Sequence, residues 1–116
     1  MEFIKQYWPL ILLLSWFAYR WLKIRLLKKK IPALKKKGAI LLDVRTPGEF
    51  QVAHAKDSIN IPLDELKQRL PKLPKDTPLL VACASGTRSG MAKLILKRHG
   101  FKNVYNLGNW SNLETL

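Results

Sequence analysis

The stretch from Pro78 to Gly100 most constrains the fold. Pro78-Leu79-Leu80-Val81-Ala82 is a short apolar run that reads as a buried strand. Gly90 to His99 carries apolar residues at helical spacing. Gly100 then supplies a C-terminal stop, and Phe101 an apolar residue to pack back on the last turn. Between them lies Cys83-Ala84-Ser85-Gly86-Thr87-Arg88-Ser89, which holds the only cysteine. The cysteine therefore sits on a strand-to-helix turn at the carboxyl end of a strand, where open α/β sheets bind ligands.

That turn has a chemical logic. A helix N-terminus offers unpaired N–H groups and a partial positive charge. A loop curling round Cys83 would aim several N–H groups at its sulfur and favour the thiolate, the nucleophilic form. Gly86 allows a positive φ, and Arg88 adds a permanent cation whose planar fork suits oxyanions. Ser85, Thr87 and Ser89 offer hydroxyls. The expected site is a nucleophilic sulfur in an anion-binding cradle, with Cys83 as nucleophile and residues Ala84, Ser85, Gly86, Thr87, Arg88 and Ser89 as the substrate-binding wall. The bland alternative is an inert buried thiol.

Charge divides the chain. Residues 1–37 hold ten Lys/Arg against Glu2 alone, whereas the remainder holds eleven against seven acids. Residues 3–22 are mostly apolar and aromatic, and twenty helical residues span roughly 30 Å, the thickness of a bilayer's hydrocarbon core. Lys5 and Arg20 lie near the ends, where long cations snorkel. Tyr7 and Trp8 at one end, with Trp16, Tyr19 and Trp21 at the other, resemble aromatic belts. These features predict a single transmembrane helix. The lysines and arginines after it would put the N-terminus outside and the following domain in the cytoplasm. An interfacial helix is the alternative. The basic segment 23–37 is expected on anionic membrane lipid rather than on nucleic acid, and its apolar residues Ile24, Leu26, Leu27, Ile31 and Leu34 could also form one face of a helix packing on the domain.

From residue 38 onward, strands alternate with helices. Ala39-Ile40-Leu41-Leu42-Asp43-Val44 is a near-continuous apolar strand, as in a parallel sheet covered on both faces. Thr46, Pro47 and Glu49 form a capping-box signature for a short helix. Ser58 to Pro62 reads as a strand, Asp64 to Leu70 as a helix, and Asn103 to Leu107 as a last strand. The expected fold is α/β, a mainly parallel sheet flanked by helices.

Several separated motifs now combine: Leu41-Leu42-Asp43-Val44-Arg45, Glu49-Phe50, His54, Asn60-Ile61-Pro62, Cys83 to Arg88, Gly100-Phe101, and Val104-Tyr105-Asn106-Leu107-Gly108. In this order, across 38–112, they resemble a rhodanese domain, and residues 38–116 are read as that domain. The resemblance implies a sulfurtransferase. Cys83 would accept sulfur as a persulfide from thiosulfate, another small sulfur anion or a protein persulfide, and pass it to a thiol or to cyanide. It also implies that the loop amides hold the persulfide and that Arg88 helps bind the anionic donor. Ala53 and Ala55-Lys56-Asp57-Ser58 depart from the family's glycine-containing pattern around the histidine, which puts substrate preference in question.

Asp43, Arg45 and His54 are supporting candidates. The first two are expected to tie the loop ends by hydrogen bonds, and His54 to bond structurally near the loop. Glu49 is expected as a cap or a partner of Arg45. No metal site and no organic cofactor is expected, since one cysteine and two histidines lack ligand spacing. Two rivals remain open. One is a non-enzymatic rhodanese-fold docking module at the membrane. The other is a cysteine phosphatase or arsenate reductase, for which four residues between Cys83 and Arg88 make a narrow cradle.

Overall fold

A computed structural model of the chain describes residues 1–114. The elements are α1 (Glu2–Lys36), β1 (Ile40–Asp43), α2 (Pro47–Val52), β2 (Ile59–Asn60), α3 (Leu66–Arg69), β3 (Leu79–Cys83), α4 (Thr87–Arg98) and β4 (Val104–Asn109). The strands form one sheet in the order β2-β1-β3-β4, and all three pairings are parallel. The α/β expectation holds.

The continuous apolar character of the central strands follows from burial on both faces. Side chains alternate along a strand, so β3 serves two cores. Leu79, Val81 and Cys83 face a cluster with Leu42, Leu66, Ala92 and Leu96, under α3 and α4. Leu80 and Ala82 face the opposite cluster with Leu41, Leu107, Leu113, Ile31 and Leu34. The last two belong to α1, so its C-terminal end is part of the fold's core. Gly38, at φ +83°, then turns the chain into β1.

Between β3 and β4 the register shifts by one residue. Val81 pairs with Asn106 and Ala82 with Gly108, leaving Leu107 as the extra residue of a bulge. Leu107 fills the second core, while Asn109 comes to lie opposite Cys83.

One helix of 35 residues runs through the apolar segment 3–22 and the basic segment 23–37, past both Pro9 and Pro32. A proline inside a helix costs about 3 kcal/mol. Full burial of Ile31 and near-complete burial of Leu34 on either side of Pro32 offset that cost, at about 1.5–3 kcal/mol per side chain.

The transmembrane expectation is not supported: among the described residues, no helix is long and apolar enough to cross a membrane. The uncharged run Gln6 to Tyr19 is short, it includes Gln6, Pro9 and Ser15, and much of its bulk is aromatic rather than aliphatic. Finally, 64–70 is not one helix. A 3-10 turn at Leu63–Glu65 leads into α3, and a second turn follows at Leu70–Lys72, where Pro71 has no N–H to extend α3. Leu66 and Leu70 are buried, and Leu63 packs partly buried against the same core.

Candidate active site at the Cys83 loop

Cys83 ends β3 and Thr87 opens α4, so the loop between them is only three residues long. Gly86 caps α4 in the left-handed region, at φ +100°. Its N–H points back and donates to Cys83 Sγ at 2.9 Å. This φ is what calls for glycine; a Cβ here would also lie 2.7 Å from the Arg20 guanidinium, the end of a flexible side chain that can move aside, and 3.4 Å from Gly108 Cα.

The loop's carbonyls are held outward. Asn109 Nδ2 donates to Ala84 O at 2.8 Å, Asn106 Nδ2 donates to Gly86 O at 3.1 Å, and the Arg20 guanidinium donates to Ser85 O. Fixing three successive carbonyls away from the sulfur turns the amide N–H groups towards it, the arrangement of an anion-binding nest. Asn106 is the hub. Its Oδ1 also accepts from Ser89 Oγ at 2.6 Å and from Gly108 N–H at 3.0 Å. Ser89 is fully buried and its hydroxyl lies 3.4 Å from Cys83 Sγ.

These contacts set the thiol's acidity. Burial pushes the Cys83 thiol up. The Ser89 hydroxyl, together with the backbone N–H groups of Ser89, Gly86 and Ser85, outweighs burial and brings it below the ordinary thiol value. The sulfur is thus poised towards thiolate chiefly by neutral donors, with the Arg88 charge also interacting with it.

Arg88 is occupied differently from the simplest expectation. Its guanidinium forms a two-pronged pair with Glu49, at 2.6 Å and 3.0 Å. Glu49 also caps α2, accepting from Thr46 N–H while its own N–H donates to Thr46 Oγ1. The pairing with Arg88, then the Thr46 N–H, pulls the Glu49 carboxyl down to about 2. Glu49 therefore caps α2 as expected, but its cationic partner is Arg88, not Arg45. Arg45 instead lies along the buried Asp43 carboxylate, Nη2 to Oδ2 at 2.8 Å. It also donates to Ala53 O at 2.7 Å and stacks over Trp110, with Cζ 4.8 Å from the ring centroid. Asn60 Nδ2 closes this tie by donating to the carbonyls of Asp43 and Arg45. Asp43 and Arg45 thus build the floor beside the loop.

The structure brings Cys83, Gly86 and Ser89 together in the buried interior and leaves Ala84, Ser85 and Thr87 exposed at the rim. His54 is exposed at the end of α2, stacked on Phe50 at 3.8 Å with Nδ1 2.8 Å from Phe50 O. Sequence reasoning missed Arg20, Asn106 and Asn109 as loop supports. For Asn106 the one available signal was a polar residue inside an apolar strand.

Residues 26–113 match the Rhodanese-like domain family. The chain is 42% identical over 69 residues to the uncharacterized protein YqhL of Bacillus subtilis, covering 60% of this chain and 55% of that protein. It is 38% identical over 74 residues to the thiosulfate sulfurtransferase PspE of Escherichia coli, covering 62% of this chain and 71% of the relative. A solved structure described as a rhodanese with anions from E. coli superposes with a TM-score of 0.60 at 37% identity, over 64% of this chain and 89% of that one. This chain belongs to the rhodanese-like domain family. Its matched part thus spans little more than half of the B. subtilis relative.

Proposed function

We propose that this chain is a sulfurtransferase that carries sulfur on Cys83. The observation that carries the reading is the Gly86 N–H at 2.9 Å from Sγ, inside a loop whose carbonyls are tied outward. Relatives named thiosulfate sulfurtransferase support it.

In the first half-reaction the Cys83 thiolate attacks the outer sulfur of thiosulfate. A sulfur–sulfur bond forms at Sγ, the bond inside thiosulfate breaks, and sulfite leaves with the electron pair. In the second, a thiol or cyanide attacks the outer persulfide sulfur and the Cys83 thiolate leaves. It leaves readily because the donors that stabilise the resting thiolate stabilise it again. Residues Ala84 to Ser89 form the wall of this site. Arg88, paired with Glu49, contributes a neutralised cation at its edge, and no cofactor takes part.

We also propose membrane attachment through α1, with the domain on the cytoplasmic side. Large apolar side chains from Phe3 to Leu26 are exposed, and Lys and Arg crowd the next turns. The apolar part would sit at the bilayer interface, with the cations of residues 23–37 on anionic headgroups.

The activity is tested by following thiocyanate formation from thiosulfate and cyanide with the full chain and with Cys83→Ser. Turnover by the wild type, abolished in the variant, is expected. Equal rates would remove Cys83 from the reaction.

A further inference from the structure

A cleft of about 440 Å³ lies between α1 and the α4–β4 face, on the outer side of the Cys83 loop. Its walls carry Arg20 and Lys23 from α1, Lys93 and Lys97 from α4, and Lys102 from the segment before β4, with Tyr105 also lining it. None of the chain's eight acidic residues lines it. Among the described residues the ion pairs are Asp43–Arg45 and Glu49–Arg88, so these five cations have no carboxylate partner.

Such a cluster is unfavourable by itself. Lys93 and Lys97 are four residues apart on one helix face, where like charges repel. Burial, then the charges of Lys97 and Lys23, push the half-buried Lys93 ammonium below its ordinary value. Cations gathered from two helices and a loop into one concave site, with no acidic side chain in its lining, call for an anion of high charge density.

We propose that this cleft is a binding site for a phosphate-bearing anion carrying two or more negative charges. The site goes beyond the sulfur-transfer reading and does not depend on it. Lysine ammonium groups on separate, flexible stems suit a phosphate as point charges, and Arg20 supplies the planar fork. Arg20 also donates to Ser85 O, and Asn106, which also lines the cleft, donates to Gly86 O, so the occupied cleft shares its wall with the nucleophile's loop. A phospholipid headgroup and a soluble phosphate compound present the same chemistry here.

The test uses the full chain in a non-ionic maltoside detergent at low salt, titrated calorimetrically with inorganic pyrophosphate. Saturable one-to-one binding is expected. Lys93→Gln with Lys97→Gln should weaken it by about tenfold or more, allowing for solvent screening of each contact. Lys67→Gln with Lys72→Gln removes the same charge from exposed positions outside the cleft and outside α1, and should leave binding within about twofold. In parallel, flotation with vesicles of phosphatidylcholine, with and without phosphatidylglycerol, assigns the source. Loss of anionic-vesicle binding in the cleft variant alone identifies a lipid headgroup, and unchanged flotation identifies a soluble phosphate compound. Absence of saturable pyrophosphate binding, or equal weakening by both double variants, would overturn the proposal.

Discussion

Replacing Ser89 by alanine removes one hydroxyl from the Cys83 cradle and leaves every backbone donor in place. In the resting protein that hydroxyl donates to Asn106 Oδ1 at 2.6 Å and lies 3.4 Å from Sγ. When the thiol ionises, the proton can swing to the sulfur, because Asn106 Oδ1 still accepts from Gly108 N–H at 3.0 Å. A hydrogen bond to a charged group contributes about 1.5–3 kcal/mol, and the length of this one argues for the lower end. A loss of about 1.5 kcal/mol cuts the thiolate fraction by about tenfold at any pH well below the thiol's midpoint. The thiolate that remains is more basic and intrinsically more nucleophilic, by about threefold for a Brønsted slope near 0.45.

The pH–rate profile for iodoacetamide alkylation of Cys83 should therefore change in three ways. Its midpoint moves up, its rate well below the midpoint falls by about threefold, and its high-pH plateau rises by about threefold. Stability falls by only about 1 kcal/mol, read by urea unfolding, because no buried acceptor is orphaned. An unchanged or lowered midpoint would refute the reasoning and leave the backbone N–H groups as the whole of the cradle.

Three further predictions concern the frame around the loop. Gly86→Ala places a Cβ at φ +100° and against Arg20, so urea unfolding should show a loss of about 1–2 kcal/mol and the Gly86 N–H should leave the sulfur. Arg45→Met strands the fully buried Asp43 carboxylate, and the loss should be about 3–5 kcal/mol, a large part of a small domain's stability. Glu49 is depressed from 4.5 to about 2, so its contribution to stability is fully present above about pH 5 and is lost as pH falls towards 2. Glu49→Gln should flatten that part of the melting-temperature profile between pH 5 and 2, and a profile parallel to wild type would contradict the pairing with Arg88.

The parts of the fold that sequence reasoning reached are those written in local patterns. The strand read at Pro78–Ala82 and the helix read at Gly90–His99 follow from unbroken apolarity and helical spacing. They fall within a residue of Leu79–Cys83 and, at its end, of Thr87–Arg98, while the Thr46–Glu49 capping box follows from a four-residue signature. The Asp43–Arg45 tie is two residues long and equally local. What stayed hidden is held by contacts distant in sequence. Arg20 reaches a loop carbonyl 65 residues away, Asn109 one 25 away and Asn106 one 20 away. A side chain meeting a backbone carbonyl leaves no periodic trace in the sequence. The β4 bulge that sets Asn109 opposite Cys83 is likewise invisible without its partner strand. The apolar face of residues 23–37 was legible as one that could pack on the domain, and burial of Ile31 and Leu34 makes the far end of α1 part of the core.

The central claim is that Cys83 carries sulfur, and intact mass tests it most directly. The full chain in detergent would be exposed to thiosulfate, desalted and weighed beside Cys83→Ser. The wild type should gain the mass of one sulfur atom and lose it on adding cyanide, and the variant should gain nothing. An unchanged wild-type mass after thiosulfate and after a persulfide donor, with Cys83 still open to alkylation, would contradict the claim.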